Sequence, residues 1–185
     1  ILRCLVGSEM CIRDRTKPNH RLFKTITEQK MTLEDFVKKL ADADINNAQT
    51  RMIAGAKVPK DKILEVAKSN LENHFAVAGQ MERFDETLIL LQQNLGWKTP
   101  VYWKKNVNKK KKAVADISPE TLGIVREKNA LDMALYEHVS WMMENQIAAT
   151  PDFREHLKKL QNMNRRLRPW FNLKNAVLRP FQKSK

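Results

Sequence analysis

Apolar side chains recur with a helical period in one segment after another, and a single short apolar run breaks the pattern. This limits the chain to helices with very little sheet. The run Thr32-Leu-Glu-Asp-Phe-Val-Lys-Lys-Leu40 predicts a short helix capped by Thr32, with acidic residues in its first turn and Leu33, Phe36, Val37 and Leu40 on one face. A second helix is expected over Asn46 to Ala54, stopped by Gly55. A third covers Asp61 to Leu71, with Ile63, Leu64, Val66 and Ala67 turned inward. The segment His74-Phe-Ala-Val-Ala-Gly79 is apolar and too short for a helix, so it predicts a buried strand near 74–79. Helical spacing resumes from Glu82 to Leu95, with Phe84, Leu88, Leu91 and Leu95 in one stripe and Gly96 closing it. A strand followed at once by an amphipathic helix is the local grammar of an α/β fold.

Residues 97 to about 116 read as a long polar connection, aromatic at one end and lysine-rich at the other. Ser118-Pro-Glu-Thr then opens the longest expected helix, with a serine cap, a first-turn proline and a glutamate beside the positive end of the dipole. That helix is expected to reach about Asn145. Another begins at Pro151, and Pro169 is expected to break it ahead of a basic tail.

Charge narrows the partners. The chain carries a formal net charge of +13, gathered in the run Lys98–Lys112 and again between Arg165 and Lys185. Such an excess favours anionic partners: nucleic acid, sulfated or phosphorylated glycans, acidic lipids or a nucleotide. No apolar run approaches the roughly 20 residues that cross a bilayer. Both cysteines, Cys4 and Cys11, lie in the first fifteen residues, so the remainder builds neither a disulfide framework nor a cysteine metal site. The four histidines show no metal-ligand spacing. Without native cysteines or Asn-x-Ser/Thr acceptors, a cytoplasmic, bacterial setting is expected, with a Golgi membrane or lumen as the alternative.

The first residue is Ile1, and the stretch Cys4 to Arg15 resembles a peptide produced by translating sequencing-adapter DNA. Residues 1–15 are therefore expected to be a leader foreign to the domain. Residues 16–150 are assigned to the domain proper, and 151–185 to a basic helical tail.

Four segments occur in an order that resembles the sulfotransferase family containing the heparan-sulfate 2-O- and 6-O-sulfotransferases ("sulfotransferase family 2"). They are Asn46-Asn-Ala-Gln-Thr-Arg-Met-Ile-Ala-Gly55, Ala67-Lys-Ser-Asn-Leu-Glu-Asn-His-Phe-Ala-Val-Ala-Gly79, Glu82-Arg-Phe-Asp-Glu-Thr-Leu-Ile-Leu-Leu91 with Leu95-Gly-Trp97, and Ile117-Ser-Pro-Glu-Thr-Leu with Asn129-Ala-Leu-Asp-Met-Ala-Leu-Tyr136. The resemblance implies a P-loop-like α/β fold, truncated here to a mostly α-helical portion. It also implies 3′-phosphoadenosine-5′-phosphosulfate as co-substrate, no metal, and transfer of a sulfuryl group to a hydroxyl, of a carbohydrate in particular. Such a domain holds the 5′-phosphosulfate on a strand–loop–helix and the 3′-phosphate on an Arg-Asp-Pro segment. Neither is found: Gly7, Gly55, Gly79, Gly96 and Gly123 are scattered singly, and Arg13-Asp14 lacks the proline. The catalytic base is expected in an N-terminal half that this sequence does not contain, and the chain alone is expected to be inactive.

The resemblance assigns two groups of candidate residues. Asn47, Gln49 and Arg51 fall in a segment that follows the 3′-phosphate site and borders the cofactor or the acceptor substrate. Read from the residues alone, the same segment is a helix start, capped by Asn46 or Asn47, with Arg51 paired to an acidic neighbour. Lys104, Asn106, Asn108 and Lys109 fall in a loop that returns to the cofactor, where ammonium groups offset developing negative charge. Their alternative reading is a solvated lysine run. Asn129, Asp132 and Tyr136 share a helix face, which predicts a buried polar network joining helix to sheet, with orientation of a substrate as the alternative. The reading that competes with the enzyme is a basic helical module that binds nucleic acid or a sulfated polyanion; it explains the charge but not the four ordered segments.

Overall fold

The computed structural model describes residues 24, 28–39, 46–99, 101–102 and 117–178. Among the described residues lie the helices α1 (Leu33–Lys39), α2 (Ala48–Ala54), α3 (Ile63–His74), α4 (Phe84–Leu95), α5 (Pro119–Lys128), α6 (Ala130–Ala149) and α7 (Phe153–Leu178). A 3-10 turn over Met81–Arg83 leads directly into α4. The chain divides into two compact units: residues 1–74 with 107–138, and residues 75–106 with 139–185. α6 contributes its first half to one unit and its second half to the other.

The first unit pairs α1 with α5 and α2 with α3. α1 begins as expected. The Asp35 amide donates to Thr32 Oγ1 at 3.1 Å while the Thr32 amide donates back to Asp35 Oδ2 at 3.2 Å, a capping box that satisfies two backbone donors reciprocally. Hydrogen bonds from Thr32 hold the Asp35 carboxyl below its usual range. Ser118 caps α5 through the Thr121 amide and also donates its hydroxyl to Glu34 Oε1 at 2.7 Å. That bond is the main reason the Glu34 carboxyl is held low. Phe36, Val37, Ile63, Ala67, Leu71, Val125 and Leu135 are buried. The Asn70 amide donates to the Ile53 carbonyl at 2.8 Å, tying α3 to a carbonyl in the last turn of α2 that has no partner within its own helix.

The second unit is built on Ile89 and Leu90 of α4, Met143 of α6, and Phe153 and Leu160 of α7. Val77, Leu88, Val139, Ile147 and Leu157 pack around them. Burying each such side chain contributes roughly 1.5–3 kcal/mol, so these few contacts dominate the unit. Gly96 (φ 64°) ends α4 in the left-handed conformation that a Cβ disfavours. Arg83 bridges Glu86 and Glu144, and the buried Gln80 amide donates to Ser140 Oγ at 2.5 Å, which attaches the turn before α4 to α6.

Three sequence expectations are corrected. The strand expected at 74–79 does not form: His74 ends α3, residues 75–80 are irregular, and no strand occurs among the described residues. A strand's amides and carbonyls need a neighbouring strand. Here the Ala76 carbonyl instead accepts from the Gln146 side chain at 3.3 Å, and Phe75 stays exposed. The long helix expected from Ser118 divides at Asn129, whose φ of −118° interrupts it. Its side-chain amide turns back to the Val125 carbonyl at 2.7 Å, the local competition with helix bonding that asparagine is prone to. Pro169 lies inside α7 rather than ending it, despite the missing donor that makes an interior proline cost about 3 kcal/mol.

The irregular segment does have one steric requirement. A Cβ on Gly79 would lie 2.1 Å from Thr87 Cγ2 and 2.8 Å from its Cβ, against the first turn of α4. Thr87 is held there by donating its hydroxyl to the Arg83 carbonyl at 3.1 Å. Gly79→Ala is therefore expected to destabilise the protein by about 1–3 kcal/mol through overpacking, read as a lower urea midpoint with an unchanged m-value.

Candidate functional site

Two groups of residues stand out, one in each unit. In the first unit, Asn47 sits just before α2 with left-handed backbone (φ 49°, ψ 43°), a conformation that asparagine tolerates better than most side chains. Its side chain does not cap its own helix. It crosses to α6, where Asn47 Oδ1 accepts from the Leu131 amide at 2.8 Å and the Asp132 amide at 3.2 Å. The Asn47 amide in turn donates to the Lys128 carbonyl at 3.0 Å, at the end of α5.

Asp132 returns the favour to α2. Its carboxylate is buried, at 3% exposure, and accepts from the Thr50 amide at 2.7 Å, the Thr50 hydroxyl at 2.6 Å and the Gln49 amide at 3.2 Å. Each helix thus supplies the cap of the other. A buried anion is tolerable only when fully hydrogen-bonded, and here the free amides of a helix start satisfy it. Of the residues from which a network was expected, Asp132 joins helix to helix rather than helix to sheet, while Asn129 turns back to the Val125 carbonyl of α5. Thr50, fully buried, is a member that the sequence reading missed. The signal was available: Asp132 stands three residues beyond Asn129, where a helix restarts, and Thr50 three beyond Asn47.

The three candidates in the segment part ways. Asn47 is occupied by the cap, whereas the Gln49 and Arg51 side chains lie on the exposed side of α2. The Arg51 amide also makes the backbone bond that starts the helix, donating to the Asn47 carbonyl at 3.0 Å. What the structure brings together is Asn47, Thr50 and Asp132.

In the second unit, Tyr102 is fixed just ahead of the lysine run. Its amide donates to Asn164 Oδ1 of α7 at 3.0 Å, and its hydroxyl donates to Asp85 Oδ1 in the first turn of α4 at 2.5 Å. Its ring meets Phe84 edge-on, with centroids 4.9 Å apart and planes at 81°. Burial, reinforced by the Asp85 carboxylate, pushes the Tyr102 hydroxyl up to about 12. Asp85 stands in the first turn of α4, where it complements the dipole and anchors Tyr102. Lys104, Asn106, Asn108 and Lys109 themselves lie outside the described residues. Among the described residues no group of three metal-ligating side chains converges, and no helix is long and apolar enough to cross a membrane.

Both groups fall within one match to known proteins. A family model described as galactose-3-O-sulfotransferase matches residues 47–183, well over half of the chain. The match starts at the Asn47 cap, includes the lysine run and extends through α7. The chain belongs to this sulfotransferase family. The sulfotransferase reading of the sequence is thereby supported, while the heparan-sulfate 2-O-/6-O- ("family 2") branch named for it is not. No curated protein and no solved structure matches the chain significantly.

Because the folded state prefers the neutral Tyr102 hydroxyl, its contribution to stability is complete below the ordinary tyrosine pKa of about 10 and disappears as pH rises toward about 12. Tyr102→Phe is expected to lower stability by about 1 kcal/mol at neutral pH. It is also expected to flatten the loss of stability between pH 10 and 12, followed by urea unfolding at several pH values.

Proposed function

We propose that this chain forms part of an O-sulfotransferase that moves a sulfuryl group from 3′-phosphoadenosine-5′-phosphosulfate to a carbohydrate hydroxyl, the 3-hydroxyl of galactose. The observation that carries the proposal is the family match over residues 47–183. In the transfer, the acceptor oxygen forms a bond to sulfur in line with the bond that breaks to the 5′-phosphate. The nucleotide 3′,5′-bisphosphate leaves, and a base takes the hydroxyl proton. Positive groups lower the barrier by neutralising the sulfuryl oxygens as charge builds on them. Lys104 and Lys109 supply such charge, Asn106 and Asn108 supply amide donors, and Tyr102, two residues ahead of Lys104, is held by α4 and α7. Gln49 and Arg51 face the substrate, with Asn47 holding their helix in place.

On this proposal the 5′-phosphosulfate cradle and the base lie outside these 185 residues, where the glycines stand singly. On this reading the chain alone does not turn over. A Golgi lumen suits a galactose-3-O-sulfotransferase family member, and the bacterial cytoplasm expected from composition gains no support from the match.

The test is transfer of radiolabelled sulfate from the nucleotide donor to a galactose-terminated disaccharide. It is run with the 185-residue chain and with that chain extended by the upstream sequence of its transcript. The extended protein is expected to label the galactoside and leave its 3-deoxy analogue unlabelled, and the shorter chain to label neither. Preferential labelling of a heparan acceptor would contradict the acceptor assignment. Turnover by the shorter chain would contradict the division of labour.

A further inference from the structure

The outward face of α7 carries a row of cations that neither the core nor the proposed reaction uses. The helix turns Phe153, Leu157 and Leu160 into the core of its unit. At 100° per residue, the opposite face presents Lys158, Lys159, Asn162, Arg165 and Arg166, with Glu155 as its one carboxylate. Glu155, Lys158, Lys159, Asn162, Met163 and Arg166 line a shallow, open concavity on this face. Lys158, Lys159 and Arg166 are exposed and have no acidic partner among the described residues. Arg165 is exposed too, and donates to Asn162 Oδ1 at 2.8 Å, which holds an amide beside the guanidinium.

We propose that this face binds an extended sulfated glycan, so that α7 acts as an anchoring surface for an anionic carbohydrate chain. The proposal rests on the carbohydrate-sulfotransferase reading for its choice of ligand. From Lys158 to Arg166 the cations follow the helix axis for about 12 Å, the geometry of a strip that follows a linear polyanion rather than of a pocket enclosing one charged group. The Asn162 amide adds a partner for sugar hydroxyls between the charges. A membrane surface is the poorer fit, because the apolar face that would enter the lipid is already packed against α4. Nucleic acid is poorer as well, because no aromatic side chain interleaves the cations between Lys158 and Arg166 to stack on bases.

The experiment is fluorescence anisotropy with a labelled sulfated galactan oligosaccharide. It uses the 185-residue chain, its Lys158→Ala/Lys159→Ala/Arg166→Ala variant, and a control variant with Lys57→Ala/Lys60→Ala/Lys62→Ala, which lowers net charge equally in the other unit. Binding is expected to weaken about tenfold or more in the α7 variant, to stay within about twofold in the control, and to fall as salt rises. Circular dichroism checks that helix content is retained. Equal weakening in both variants would reduce the effect to bulk charge and overturn the proposal. So would tighter binding of a single-stranded oligonucleotide of matched charge, or of phosphatidylserine vesicles, or undiminished binding of the unsulfated galactan. Sulfate transfer is not read in this experiment, so failure of the enzymatic reading and failure of the anchoring face are separately visible.

Discussion

A carboxylate with almost no access to water governs the arrangement of the first unit. Asp132 accepts three hydrogen bonds from Gln49 and Thr50, and Asn47 answers by accepting two from the start of α6. An isolated buried charge would cost several kcal/mol. This one sits where two helix starts would otherwise leave amides unpaired, so each expense is offset by the other's need. The exchange also explains why α2 can be a helix at all. At seven residues it is too short to be stable on propensity alone, and its first turn is made by a residue more than eighty positions away.

That clamp connects packing to the functional reading. Gln49 and Arg51 lie on a helix whose start is held at Asn47 and Asp132, so their exposed side chains project from a fixed base. The second unit repeats the device differently. Tyr102 is held by Asp85, Phe84 and Asn164, two positions ahead of Lys104 in the sequence. In both units a buried or half-buried polar contact joins parts of the chain that are distant in sequence. The preorganisation that sulfuryl transfer requires is consistent with such anchoring, and the family match includes both anchors.

Much of this was legible in the sequence, and the misses have physical causes. Thr32, Ser118 and Gly96 mark helix ends through local chemistry, so a single sequence reveals them. The sulfotransferase family was legible from four ordered segments, although its branch was not, because those segments concern the common scaffold. The strand near 74–79 failed because an apolar run records burial, not the presence of a partner strand. The break at Asn129 was missed because apolar spacing continues on both sides of it; the interruption comes from one side-chain amide competing for the Val125 carbonyl. The Asn47–Asp132 exchange was half visible. Both residues stand out in the sequence, but only folding brings them together, and Thr50 is marked only by its place three residues beyond Asn47.

The claim that this exchange positions the 47–51 segment is tested most directly by a double-mutant cycle on Asn47→Ala and Asp132→Ala, followed by urea unfolding. Residues acting in one network couple, and a coupling free energy of about 1 kcal/mol or more is expected, because each truncation frees one helix start and so loosens the segment that carries the cap of the other. Losses that add to within about 0.3 kcal/mol would mean that the two caps act independently, and would contradict the account.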